Sequence, residues 1–179
     1  MATRALGRLS REIDASSLRL AVIVSDYHAT LGELLLAGAM RCLQDHGGEP
    51  ENVWVFRVPG AFEIPQAVSR ILARHEPRPD AVIALGVLIR GETLHFEILA
   101  REVCRSLQEI GLSTGVPVTF GVLTVNSDGQ ARDRAGRGRS NKGWEAAHAA
   151  LRMASLFRRL EEPDTAEPAS GPGRRRRAR

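Results

Sequence analysis

Residues Arg90–His95 (Arg-Gly-Glu-Thr-Leu-His) include the side-chain types that bind anions and transfer protons. The sequence predicts that a helix begins here, and a helix N-terminus presents unpaired backbone N–H groups that attract anions. Glu92 and Thr93 would then line an anion site, although Thr93 as a helix-capping residue explains the pattern equally well. His95 is a candidate general acid and base because histidine titrates near neutral pH. A structural histidine is the competing interpretation.

Two further segments combine tight turns with residues that could bind a ligand. In Val58–Pro65 (VPGAFEIP), Glu63 stands at the predicted start of a helix. It is either a ligand-binding carboxylate or a favourable acid in the first helical turn. Phe62 is either a ring-contacting residue or part of the core. Arg134 precedes the basic run Arg137–Gly143, so it is either an anion-binding arginine or part of a solvated turn.

Other kinds of chemistry have no support in the sequence. The 5 histidines share no metal-ligand spacing with cysteine or with one another. The sequence contains neither the Gly-x-Gly-x-x-Gly nor the P-loop lysine motif, and it lacks the G-x-S-x-G turn of serine hydrolases. We therefore expect no metal and no nucleotide cofactor.

The hydrophobic pattern alternates short β-rich runs with longer helical ones. Near-continuous apolar runs are typical of strands buried on both faces, and they are predicted at Leu18–Ser25, Val53–Val58, Asp80–Ile89 and Pro117–Val125. Apolar residues at three- and four-residue spacing predict helices at Thr30–Gly47, Ile64–His75, Leu94–Thr114, Gln130–Ala135 and Trp144–Leu160.

This strand–helix alternation predicts an α/β fold, a three-layer α/β/α sandwich around a four-stranded parallel sheet. In such sheets, ligands bind beyond the carboxyl ends of the strands. We therefore expect the loops Ser25–Ala29, Pro59–Glu63 and Arg90–His95 to lie together. The loop Asn126–Asp128 should lie on the same side.

The composition is that of an ordinary globular domain, with 179 residues, 43% hydrophobic and 26% charged. With only 5 Phe, 2 Trp and 1 Tyr, the core must be mostly aliphatic. An aromatic platform for single-stranded nucleic acid is correspondingly disfavoured. Cys42 and Cys104 both lie in apolar helical runs, and we expect both to be buried free thiols.

The ends of the chain differ from its body. We expect one domain over residues 17–161, a flexible or edge-pairing segment over 1–16, and a disordered tail over 162–179. The last six residues carry 5 of the 25 basic residues. The tail is either a solubilising end or an arm that makes weak polyanion contacts. Neither a secretory signal nor an apolar run of the ~20 residues that a membrane span needs is found, which favours the cytoplasm.

Four motifs, in matching order and spacing, resemble the 6,7-dimethyl-8-ribityllumazine synthase (lumazine synthase) family. They are VPGAFEIP at Val58–Pro65, ALGVLIRGETLHFE at Ala84–Glu97, GVPVTFGVLT at Gly115–Thr124 and RAGRGRSNKGWEAA at Arg134–Ala147. The resemblance covers about Leu18–Leu156. It implies a flavodoxin-like fold and a transferase of riboflavin biosynthesis that needs no cofactor. The implied reaction condenses 5-amino-6-(D-ribitylamino)uracil with 3,4-dihydroxy-2-butanone 4-phosphate and releases phosphate.

The resemblance also implies a role for each matching residue. His95 matches the general acid and base, and the phosphate-binding positions are Glu92, Thr93 and Arg134. The pyrimidine and its ribityl chain would be bound by Tyr27, His28, Ala61, Phe62, Glu63, Val87, Leu88, Ile89, Phe120 and Lys142. Phe120, Lys142 and Arg134 match residues that the adjacent subunit contributes, so the site would lie between subunits.

Family members assemble as homopentamers, and some close into icosahedral shells of sixty subunits. The turn Gly136–Gly143 lacks the insertion that strictly pentameric members often carry, which permits a shell. The chain departs from the family pattern at Tyr27 (usually Phe or Trp), His28 (Asn in close relatives) and Leu94 (small or polar). These departures keep open a second interpretation, a catalytically weak flavin- or lumazine-binding or shell-forming paralogue.

Overall fold

The computed structural model describes residues 13–161 of the chain. The predicted disordered tail and most of the predicted N-terminal segment lie outside these residues. The strands are β1 (Leu20–Ser25), β2 (Val53–Val58), β3 (Ala81–Ile89) and β4 (Val118–Val125). The helices are α1 (Ala29–Asp45), α2 (Ile64–Arg74), α3 (His95–Thr114), α4 (Asp128–Ala135) and α5 (Lys142–Glu161), and single 3-10 turns occur at Pro50–Asn52 and Ala61–Glu63.

The four strands form one parallel sheet in the order β2-β1-β3-β4. Because successive side chains of a strand point to opposite faces, the apolar strands feed two cores. Leu20, Val22 and Val24 of β1 pack on one face with α1, α4 and α5. Ala21 and Ile23 pack on the other face with α2 and α3. The predicted three-layer α/β/α sandwich is therefore confirmed.

The core is aliphatic, as the composition predicts, with Trp144 as its one aromatic member among the described residues. Cys42 is a buried free thiol, and burial raises its pKa to about 12. The same expectation is wrong for Cys104, which is exposed on α3. Its apolar neighbours in sequence do not bury it, because only the Val103 and Leu107 stripe of α3 faces the sheet.

Helix ends differ from the predicted ones where a side chain sets them. Helix α4 begins at Asp128, two residues before the predicted start, because the Ser127 hydroxyl accepts a hydrogen bond from the Gln130 N–H. Helix α5 begins at Lys142, also two residues early. None of the described helices is long and apolar enough to cross a membrane.

Asn141, buried between α4 and α5, holds the connection between these helices. Its Oδ1 accepts from the N–H groups of Gly143 and Trp144, so it caps α5. Its Nδ2 lies 2.8 Å from the Ala135 carbonyl at the end of α4 and 3.0 Å from the Leu34 carbonyl of α1. One amide therefore fixes two helix ends against a third helix.

We expect Asn141→Ala to lower the free energy of unfolding by about 2–4 kcal/mol, because it removes a helix cap and leaves buried carbonyls unpaired. Urea denaturation measures this change. Asn52→Ala is the matched control, because the Asn52 Nδ2 donates a single exposed hydrogen bond to the Ser16 carbonyl. Equal losses in the two variants would contradict the role assigned to Asn141.

A cluster of three rings, His46, Trp144 and His148, lies where the C-terminal end of α1 meets α5. The His148 ring stacks on Trp144 with centroids 5.0 Å apart, and the His46 ring lies 5.4 Å away. Burial, His46 and the cations of Arg152 and Arg139 together lower the pKa of His148 below its usual 6.5. As the pH falls past 6.5, His148 therefore binds a proton in the unfolded chain before it does so in the folded chain.

It follows that stability should fall as the pH drops from 8 to 5, and that His148→Gln should reduce this fall. Urea midpoints measured at both pH values for the parent chain and the variant test this. His75→Gln serves as control, because His75 contacts Trp54 in a different cluster. An identical pH dependence in the parent chain and His148→Gln would refute the assignment.

Candidate active site

All four strands end at the same edge of the sheet, at Ser25, Val58, Ile89 and Val125. This confirms that the loops following the strands share one side of the molecule. Two backbone hydrogen bonds continue the sheet beyond the strands. Asp26 N–H donates to the Val58 carbonyl over 2.9 Å, and Arg90 N–H donates to the Val125 carbonyl over 2.8 Å.

At the carboxyl ends of the strands, the sheet has a step between its two central strands, β1 and β3. The pairing of β1 with β3 stops at Val24 and Leu85, whereas β3 continues against β4 as far as Ile89. Gly86 stands at the step, where a Cβ atom would lie 2.9 Å from Ser25 Oγ. The step therefore leaves one backbone edge of residues 86–89 beyond the β1 ladder. A planar ligand could pair with that edge.

Tyr27 and His28 follow β1 at this step. The Tyr27 side chain is 79% exposed, and its ring meets the His28 ring edge-on with centroids 5.1 Å apart. The preceding residue, Asp26, accepts a hydrogen bond from Arg57 of β2, whose guanidinium also pairs with Glu33 of α1. Glu33 and Asp26 raise the pKa of Arg57. This ion-pair network anchors the start of the loop that carries Tyr27.

The segment after β2 presents one ring and one carboxylate. Phe62 is 55% exposed, so the interpretation of Phe62 as core is wrong. Glu63 is half-buried at the N-cap position of α2, just before the helix and not within its first turn. Ala61 is buried at 6% exposure and packs in the core under α2 and α3. The Ala61 side chain therefore supports the segment and offers little contact surface.

The segment after β3 leads directly into α3. Val87 is buried and Leu88 and Ile89 are half-buried, so the backbone of this strand end is what remains available to a ligand. Leu94 is the N-cap residue of α3, and its side chain makes no capping hydrogen bond to the helix. The capping role considered for Thr93 is therefore wrong. His95, the first residue of α3, is exposed, which argues against a structural histidine.

A surface cavity of about 350 Å³ lies on the far side of β4, between this edge strand, α4 and α5. Phe120, Arg134 and Lys142 all line it. None of the other predicted site residues does. The sequence-predicted residues therefore fall into two sets on one chain, the loop set at the strand ends and the cavity set beside β4.

Each of the two cations of the cavity set contacts a residue of its own helix. Arg134 donates one hydrogen bond to the Gln130 carbonyl over 3.2 Å, which leaves most of its guanidinium donors available. Lys142 pairs with Glu145 at 2.6 Å. The cavity thus combines an exposed ring with two cations, a combination that suits an anionic ligand that also has apolar parts. Within residues 13–161, no group of three or more His, Cys, Asp or Glu side chains is arranged to hold a metal ion.

Fold and site together define a flavodoxin-like α/β protein with an exposed histidine beside an anion-attracting helix start. Comparison with known proteins narrows this class. The sequence model described as 6,7-dimethyl-8-ribityllumazine synthase matches residues 17–158. The chain belongs to the 6,7-dimethyl-8-ribityllumazine synthase family, whose members are transferases of riboflavin biosynthesis.

Individual relatives agree with the family match. The 6,7-dimethyl-8-ribityllumazine synthase of Aquifex aeolicus is 46% identical over 149 residues, covering 83% of this chain and 96% of the relative. That of Chlorobium phaeobacteroides is 42% identical over 148 residues, covering 83% and 94%. That of Chlorobium limicola is 40% identical over 153 residues, covering 86% and 97%.

The sequence reasoning missed three residues that organise the site. They are Arg57, Arg90 and Asn141. Each acts on a partner that is distant in sequence, such as Leu34, whose carbonyl accepts from Asn141 across 107 residues. A charged residue near the end of an apolar run in the sequence is the signal that points to Arg57 and Arg90, and it does not identify their partners.

Proposed function

We propose that the chain condenses 5-amino-6-(D-ribitylamino)uracil with 3,4-dihydroxy-2-butanone 4-phosphate to form 6,7-dimethyl-8-ribityllumazine. The observation that carries the proposal is the exposed His95 at the first turn of α3, beside a step in the sheet edge. Family membership supports the reaction, and the exposure of His95 supports the role proposed for it.

The pyrimidine would bind at the step. Backbone groups of Val87–Ile89 beyond the β1 ladder would pair with the polar edge of the ring, and Tyr27 would cover its face. Glu63 would accept hydrogen bonds from the ribityl hydroxyls, with Phe62 against the chain. The exposure of Tyr27 and Phe62 supports these roles, because both rings are accessible to a ligand.

The phosphate would bind at the start of α3, next to Glu92 and Thr93. The uncapped first turn supports this role, because its backbone N–H groups and the helix dipole favour an anion. Arg134 would supply a forked guanidinium to the same phosphate.

Chemistry then requires positioning and proton transfer. The amino group of the pyrimidine attacks the ketone, water leaves, and an imine forms. Loss of a carbon-bound proton and of phosphate gives an enol that tautomerises to a ketone. The ribitylamino nitrogen closes the ring on this ketone and a second water leaves. His95 would accept and return protons in these steps, and the protein would hold the two reactants together.

We place the complete site between subunits of a homopentamer. Phe120, Arg134 and Lys142 of one chain would complete the loop set of its neighbour. The separation of the two sets on one chain supports this arrangement. So do Leu94, Ile98 and Leu112 on α3, which are 71%, 58% and 75% exposed, because an interface would bury such side chains. Closure of pentamers into an icosahedral shell, a cytoplasmic location and a weak polyanion contact of the C-terminal tail remain proposals from the sequence.

The activity test follows lumazine formation from the two substrates by absorbance, above the slow spontaneous reaction. We expect His95→Ala to lower kcat at least about tenfold, because a proton shuttle is lost. Arg134→Lys should raise KM for the phosphate substrate about tenfold, since lysine lacks the guanidinium fork. His75→Ala and Arg132→Lys are the matched controls. A parent chain that does not accelerate the reaction would refute the proposal.

A mixing experiment tests the shared site. Subunits of His95→Ala and Arg134→Ala are unfolded together and reassembled in equal amounts. Random pairing would restore about a quarter of the sites, because one neighbour then carries His95 and the other Arg134. Assay of the mixture measures this recovery. A mixture no more active than the sum of its parts would show that both residues serve from one subunit.

A further inference from the structure

Arg90 is the first residue of the predicted loop Arg90–His95, and its side chain contacts three residues at once. Its Nε–H donates to Asn126 Oδ1 over 3.1 Å, and its Nη1–H donates to Glu97 Oε1 over 2.9 Å. Its guanidinium carbon lies 5.0 Å from the centroid of the Phe96 ring. The Arg90 backbone N–H also donates to the Val125 carbonyl.

These partners surround the residues proposed to act on the substrates. Asn126 is the first residue after β4. Phe96 and Glu97 follow His95 directly in the first turn of α3. The guanidinium therefore links the end of β4 to the helical turn that begins with His95. The loop between Arg90 and His95 is thus held at its first residue by Arg90 itself and at its far end by the contacts of Arg90 with α3.

The loop has little else to hold it. Residues 91–95 are all exposed, and a Cβ atom at Gly91 would meet no atom within 4 Å. The backbone of Gly91 does not adopt the left-handed conformation, so the loop shape is not set by a strained glycine. Leu94 accepts the first helical hydrogen bond from Ile98 N–H, over 3.1 Å.

The free energies involved distinguish a role of Arg90 in positioning from a role in stability. The Arg90 and Glu97 side chains are 49% and 41% exposed, and exposed ion pairs contribute about 0–1 kcal/mol to stability. The folded state depends instead on the two cores beside the sheet. A displacement of about 1 Å at a reacting group, however, costs about a hundredfold in rate. Loss of Arg90 should therefore affect catalysis far more than unfolding.

We propose that Arg90 is a positioning residue. It fixes the loop 91–94 and His95 relative to β4 through its simultaneous contacts with Asn126, Phe96 and Glu97. The inference rests on the proposed function for its kinetic readout. Two of the guanidinium nitrogens are already engaged by protein acceptors, which sets Arg90 apart from a direct phosphate ligand such as Arg134.

The test compares Arg90→Gln with Asn126→Ala, Glu97→Gln and the Arg90→Gln/Glu97→Gln double variant in the full chain. A positioning role predicts that each single variant raises KM for the phosphate substrate about tenfold and lowers kcat. KM for the pyrimidine should stay within about twofold. The double variant should be no worse than Arg90→Gln alone, since both changes remove the same link. Arg90→Lys should recover part of the activity, because it restores the pair with Glu97.

Arg105→Gln is the matched control, because Arg105 is an exposed arginine of α3, 61% exposed against 49% for Arg90, that pairs with Glu102 and Glu109. It should leave the kinetics unchanged, and thermal unfolding should shift alike in both arginine variants. Kinetics of Arg90→Gln equal to those of Arg105→Gln would overturn the inference. So would a loss in Arg90→Gln with normal Asn126→Ala and Glu97→Gln, which would make Arg90 a direct phosphate ligand.

A second readout separates failure of this inference from failure of the proposed function. Calorimetry measures the binding of inorganic phosphate to the parent chain and to Arg90→Gln, Asn126→Ala and Glu97→Gln. An inactive parent chain that binds phosphate more tightly than Arg90→Gln, Asn126→Ala and Glu97→Gln alike would refute the reaction and retain the positioning role. Equal phosphate binding by an inactive parent chain and Arg90→Gln would refute both.

Discussion

The step between β1 and β3 is the feature on which the proposed site depends. Parallel strands pair only along their shared length, and β3 runs past the last residue of β1 that pairs with it. The backbone groups beyond that point are polar, directional and held rigid by β4 on the other side. Every loop residue proposed to bind the pyrimidine follows a strand that ends at or near this step. Buried strands thus expose a polar backbone edge at their carboxyl ends, and Ser25 is the one buried polar side chain beside the step among the described residues.

The two sets of predicted site residues explain why one chain would be insufficient. The loop set offers the free backbone edge of β3 and an uncapped helix start, where the two substrates are proposed to bind, but it contains no arginine or lysine for the phosphate. The cavity set offers Arg134, Lys142 and Phe120 beside β4, away from the recess. Both sets leave apolar rings in solvent. An assembly that brings one set against the other would satisfy both needs, and it would provide cover for the exposed side chains of Leu94, Ile98 and Leu112.

Much of the fold follows from the sequence alone. The continuous apolar run of β3 identifies a strand buried on both faces, and the alternation of such runs with helices predicts a parallel sheet. The carboxyl-end loops could therefore be placed together in advance. The strand order β2-β1-β3-β4 could not, because it depends on where each helix crosses the sheet. The expectation of burial on both faces is wrong for β2, which lies at one side of the sheet and leaves Val55 41% exposed. The exposure of Cys104 was also beyond the pattern, since helical spacing does not say how wide a stripe the sheet covers.

The candidate site, like the fold, could be predicted from the sequence only in part. Family motifs identified His95 and Arg134, but the ion-pair partners of Arg57 and Arg90 depend on contacts between residues that are distant in sequence. Helix α5 begins two residues early because the buried Asn141 caps it, and that cap depends on the place of α1 beneath it. The residues proposed to bind substrate lie in motifs that can be recognised in the sequence. Residues that hold them in place are recognised only once the fold is known.

The arrangement is tested most directly by an experimental structure of the assembled chain with 6,7-dimethyl-8-ribityllumazine and inorganic phosphate bound. The shared site predicts phosphate within hydrogen-bonding distance of the loop 91–93 backbone of one subunit and of the Arg134 guanidinium of its neighbour. It also predicts the ring beneath Tyr27, against the free edge of β3. Phosphate bound by groups of a single subunit, or a ring bound away from that edge, would contradict the arrangement.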